Sequence, residues 1–249
     1  MKLFILFFAA IISASALASG FTFISGISHQ LHISEHTLTF IVVSIILMAL
    51  GFAYRTTLAK SSRPLVPDRG ITFRNIYEGF GQFVYNLCVS VMGEKQTKNY
   101  FTCIILVFTF VFLSNSIGLV PGFLPPTDNI NTTLGLGLFI FLYYNYHGIK
   151  EQGLVGHIKH FMGPVWYLAP LIFVIEVISH CVRPLSLALR LRGNMYGDHL
   201  VLSIFSDLVP LGVPIVFLFI GLFVCFIQAF VFSLLSMVYI GLATEHSRS

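Results

Sequence analysis

Apolar runs long enough to cross a bilayer alternate with short polar breaks along most of this chain. The first clear run, residues 37–54, ends in RTTLAKSSRPLVPDRG, a basic, turn-rich segment carrying Arg55, Lys60, Arg63 and Arg69. Residues 72–92 interrupt their apolar positions with Arg74, Asn75, Glu78 and Gln82, the pattern of an amphipathic helix lying at the interface. The polar break GEKQTKN leads into a second span, 100–120, closed by a Pro- and Asn-rich loop without lysine or arginine. A third span, 132–146, returns to HGIKEQG, and 153–163 reads as a linker along the membrane. Two long segments complete the chain, about 164–196 and 199–243. A helix of about 30 residues is ~45 Å long against a hydrocarbon core of ~30 Å. Each must therefore tilt, break or run along the membrane, and Pro210 and Pro214 are expected to break the second.

Composition supports this reading. Of 249 residues, 56% are hydrophobic and only 10% charged, too few charges for a soluble surface. Mean hydropathy is +0.88. Spans are helical because lipid offers no partner to open backbone groups. The expected fold class is an all-α polytopic membrane protein of about five transmembrane helices, the last two long and tilted, plus one interfacial amphipathic helix. The start, MKLFILFFAAIISASALAS, has one basic residue, an apolar stretch too short to span comfortably and a small-x-small site at Ala16–Ala18. Residues 1–18 thus read as a signal peptide and 19–249 as a single membrane-embedded domain. Basic loops belong in the cytoplasm. That puts the processed N-terminus outside, the C-terminus in the cytoplasm and the protein in a bacterial inner membrane. The net charge of +4 reflects loop asymmetry, not nucleic-acid binding. The four cysteines have no metal-ligand spacing and read as packing residues; no cofactor is expected.

The chemistry concentrates in EVISHCVRPLSLALRLRGNMYGDH, residues 176–199. At ~100° per residue, Glu176, His180, Arg183, Leu187, Arg190 and Asn194 fall within about 80° of one another. All but Leu187 are polar, and insertion scales charge ~2.5–3.5 kcal/mol for a central arginine. An arginine stays protonated at any relevant pH, so it cannot relay protons. It can favour an ionised carboxylate beside it and repel migrating protons, as a proton path requires. Gln228 and Tyr239 share one face of the final helix.

These residues resemble a known signature. RPLSLALRLRGNMYGDH is similar to the motif of subunit a of F-type ATP synthases, through Pro184, Ser186, Leu187, Leu189, Arg190, Leu191, Asn194 and Met195. QAFVFSLLSMVYI and FLSNSIGLVPGFLPPTDNINTTL resemble two further segments of that family, and the likeness covers about 113–243. The resemblance implies a hairpin of the last two helices against a ring of c subunits, with b-type peripheral stalk subunits and the F1 sector as further partners. It implies no enzyme activity in the chain itself, because ATP chemistry lies on other subunits. Arg190 would face the ring. Asn194, His199 and Gln228 would line the outer half-channel; Glu176, Ser179 and His180 would line the cytoplasmic one, with Tyr239 on the final helix. The chain departs from the family where Gly221 replaces an acid partner of His199, and Asp198 is the expected substitute. Arg192 is expected to snorkel or to pair with an acid such as Asp198. A secondary transporter or ion channel is the rival reading; it would show an internal repeat, and none is seen.

Overall fold

The computed structural model describes residues 34–60, 70, 72–120, 123–162, 169–208 and 213–244, all as helices and short connections. The expected signal peptide lies outside the described residues. Among the described residues six α-helices follow one another: α1 Glu35–Lys60, α2 Phe73–Met92, α3 Glu94–Ile117, α4 Ile130–Met162, α5 Ala169–Leu208 and α6 Val213–Thr244. A single 3-10 turn, Pro126–Asp128, precedes α4. No strand occurs among the described residues. The chain is thus an all-helical, multi-pass membrane protein. Of its helices, α1, α3 and α6 are long and apolar enough to cross a bilayer by composition alone.

Several boundaries differ from those read in the sequence. The polar GEKQTKN is not a break: only Gly93, at φ +79°, separates α2 from α3, and Glu94 and Lys98 pair at 3.3 Å on the first turns of α3. The third span extends well beyond residue 146, and its bend is Gly153, at φ +74° and ψ 162°, backbone that only glycine adopts readily. The larger correction concerns the last two helices. The expected division near Gly197 is absent, because α5 runs unbroken through Asp198 and His199 to Leu208. Residues 209–212, between α5 and α6, lie outside the described residues. The expected break at Pro210 therefore also lies outside them. Pro214, in the first turn of α6, costs nothing there.

The core forms where α3, α4, α5 and α6 meet, with α2 against the outer side of α3 and α6. One buried cluster holds Ile104, Phe108 and Val111 of α3, Ile140 and Tyr144 of α4, Leu187 and Leu191 of α5, and Ala229, Phe232 and Ile240 of α6. Phe226 sits edge-on to both Phe108 and Phe112, at 5.8 and 6.3 Å. Arg74 of the amphipathic helix α2 is only 1% exposed and donates to Glu78 at 2.7 Å, one turn on. A buried guanidinium is tolerable only when it is so partnered.

Close backbone approach fixes α4 on α5. A Cβ built on Gly137 would lie 2.8 Å from the Pro184 carbonyl oxygen and 3.4 Å from its carbon. Glycine is required because the obstructing atoms are backbone and cannot turn aside.

Candidate functional site

The polar stripe lies on α5, and α6 runs antiparallel beside it. Among the described residues, three of the contacts between the two helices share a pattern. The Arg183 guanidinium stands over the Tyr239 ring, 5.1 Å from its centre. Asn194 Nδ2 donates to Gln228 Oε1 at 2.7 Å. The rings of Phe205 and Phe217 stack at 4.8 Å. The two residue numbers in each pair add to 422, and neighbouring pairs are 11 residues apart on both helices.

Arg190 lies between the first two of these contacts. Leu187, Ala188, Leu191 and Met195 form the buried face of α5, while Ile178, Val182, Leu185 and Leu189 form an exposed apolar face. Arg190 is exposed at the border between them. No hydrogen bond or ion pair involves its side chain among the described residues. The other arginines of the helix differ. Arg183 has the Tyr239 ring. Arg192 donates through Nε to the main-chain oxygen of Asp128 at 3.2 Å. That contact corrects the expected pairing with Asp198: the 3-10 turn brings a carbonyl within reach of Arg192.

Asn194 and Gln228, placed on one site from sequence, do meet, and Gln228 is 5% exposed. Leu187, the apolar member of the stripe, is 4% exposed because it turns into the core. Ser179 is half-buried on α5. The side chains of Glu176, His180 and His199 lie outside the described residues. Tyr239 is brought to Arg183, with the Tyr144 ring 6.0 Å away. The ATP synthase A chain family model matches residues 37–241, which hold this entire arrangement.

The chain belongs to that family. It is similar to ATP synthase subunit a of Bdellovibrio bacteriovorus, at 47% identity over 223 residues, 90% of this chain and 96% of that one. ATP synthase subunit a of Geobacter sulfurreducens is 51% identical over 164 residues, 66% of this chain and 71% of its own length. The Sorangium cellulosum protein of the same name is 42% identical over 205 residues, 82% of this chain and 80% of its own.

In this member of the ATP synthase A chain family, Asp198 and Gly221 line one cavity of about 180 Å³, with Leu119, Met195, Val201, Phe217 and Ile220. A Cβ on Gly221 would come within 2.7 Å of Leu119 Cδ2, so Leu119 fills the space a side chain at 221 would take. Asp198 approaches the same cavity from α5 and is its only charged lining residue among the described residues. A second polar group was missed as site chemistry. Asn115 Oδ1 accepts from Thr127 Oγ1 at 2.7 Å, both residues buried. Asn115 Nδ2, Ser114 Oγ and Ser116 Oγ are buried with no partner among the described residues. The signal was the run SNS at the end of an apolar helix, where three small polar residues have no reason to face lipid.

Proposed function

We propose that the chain is the proton-translocating stator subunit of an F-type ATP synthase. Arg190 carries this reading. It is a permanent cation on the border of an open apolar face, with no counter-ion of its own among the described residues. The matching counter-ion is a carboxylate on another chain, the membrane-embedded acid of each c subunit. A carboxyl group reaching Arg190 loses its proton and passes as an anion; free protons are repelled, so the two sides are not short-circuited. Each charge crossing 100 mV supplies ~2.3 kcal/mol, and several per turn drive rotation.

Asn194, Gln228, Asp198 and His199 are assigned to the outer half-channel. The Asn194–Gln228 bond and the Asp198 cavity support this, as do the unsatisfied Asn115, Ser114 and Ser116 groups, which water would satisfy. Glu176, Ser179, His180 and Tyr239 are assigned to the cytoplasmic one. The c ring, the b-type stalk and the F1 sector are the partners, and a bacterial plasma membrane is the location. The test is ATP-driven proton pumping in inverted vesicles carrying Arg190→Ala in the assembled complex. Pumping is expected to vanish; undiminished pumping sinks the assignment.

A further inference from the structure

The three contacts between α5 and α6 share one register, and it brackets the residues assigned to translocation. Arg183–Tyr239, Asn194–Gln228 and Phe205–Phe217 stand 11 residues apart, or three turns, at about 16 Å intervals. A spacing of 11 residues at ~3.67 per turn returns each contact to nearly the same side of both helices. Arg190 falls between the first and second contacts, Asp198 between the second and third. We infer that Arg183 and Tyr239 are positioning residues: with the Asn194–Gln228 pair they lock the register of α5 against α6, and so fix the height at which Arg190 is presented.

The need for a lock follows from the medium. Among the described residues most other neighbours across the hairpin are aliphatic or aromatic, with Asp198 near Cys225 an exception. In lipid such contacts gain little over lipid tails, and they favour one register only weakly over its neighbours. A slip of one residue would move Arg190 by about 1.5 Å along the axis and turn it by ~100°. Directional contacts resist this. A guanidinium is held over a ring face, and an amide hydrogen bond tolerates little displacement. The Arg183 end is braced from behind. Tyr144 of α4 lies beside Tyr239, and the neighbouring Pro184 carbonyl rests against Gly137. Sliding there would have to carry α4 along.

This inference rests on the assignment of Arg190, and its test has one arm that does not. In a background with the four native cysteines replaced, Leu187→Cys is combined in turn with Leu234→Cys, Leu235→Cys or Val238→Cys in the assembled complex. Oxidative cross-linking should be dominated by the 187–235 pair, which keeps the register. Adding Arg183→Met or Tyr239→Leu should spread it to the neighbours, while Tyr239→Phe, which keeps the ring, should not. In inverted vesicles, Arg183→Met and Tyr239→Leu should each lower protons pumped per ATP hydrolysed about fivefold, with hydrolysis per complex retained. Arg183→Lys should keep most of the coupling, and the Arg183→Met, Tyr239→Leu double variant should be no worse than the worse single one. A merely structural loss would lower complex abundance and leave the ratio unchanged. Unchanged cross-linking in both Arg183→Met and Tyr239→Leu overturns the lock, as does full coupling in Arg183→Met, or cross-linking in Tyr239→Phe that spreads as far as in Tyr239→Leu. Should Arg183→Met fail to accumulate, Tyr239→Leu carries the same readings. Cross-linking that spreads while Arg190→Ala still pumps would leave the lock standing and remove the role of Arg190.

Discussion

The three arginines of α5 carry the same charge and differ only in what meets it. Arg183 meets a ring, Arg192 a carbonyl, and Arg190 an open face. Helical periodicity was enough to single out Arg190, Asn194 and Gln228, because a polar residue on an apolar helix is costly and its spacing is readable. It could not find the partner of Arg192, which lies 64 residues away in sequence and is a main-chain atom. The resemblance, not periodicity, suggested Asp198 as a substitute for an acid at Gly221, and neither could show that Leu119 occupies the space beside Gly221. The Asp198→Asn variant separates an acid from a cavity-shaping side chain, since the two are nearly isosteric. If Asp198 exchanges protons, pumping should fall at least about tenfold and lose one limb of its pH profile. An Asn variant that pumps normally with an unchanged pH profile would leave Asp198 only a packing role.

Among the helices, apolar runs were read correctly and their ends were not. Polar residues at the start of α3 looked like a loop because an exposed helical turn and a loop have the same composition. The Gly197–Asp198 pair looked like a break because glycine and aspartate favour turns, yet tertiary contacts hold α5 straight through both. No local rule marks Gly137, whose importance comes from a facing carbonyl on another helix. Gly137→Val is expected to force α4 from α5, at a cost of about 1–3 kcal/mol by overpacking. Thermal denaturation of the assembled complex should show it as a lowered midpoint. Gly135→Val, where a Cβ meets nothing within 4 Å, serves as the control.

Taken as a whole, the subunit has its core on one side of the last two helices and a broad apolar exterior on the other. Ile178, Val182, Leu185 and Leu189 of α5 and Phe219, Phe223 and Ile227 of α6 are all exposed. Fold class was legible because 56% hydrophobic residues in runs of this length admit few other solutions. Assembly was legible only through the resemblance, since lipid and a protein ring present equally apolar surfaces to such a face. The two differ in what they offer Arg190. Gentle detergent extraction should therefore recover the chain together with a small two-helix protein bearing a buried carboxylate. Isolation only as a lone monomer, under conditions that keep the ring intact, would argue against the stator role.

The common register of α5 and α6 also leaves a trace in history. Positions whose numbers add to a constant should change together among related chains. Where a relative lacks a cation at the position of Arg183, the aromatic ring at Tyr239 loses its reason to persist. Length is constrained in the same way. An insertion within one helix has no local repair, whereas one of three turns in both helices returns each contact to its side. Divergence in this hairpin should proceed by paired substitution at nearly constant length.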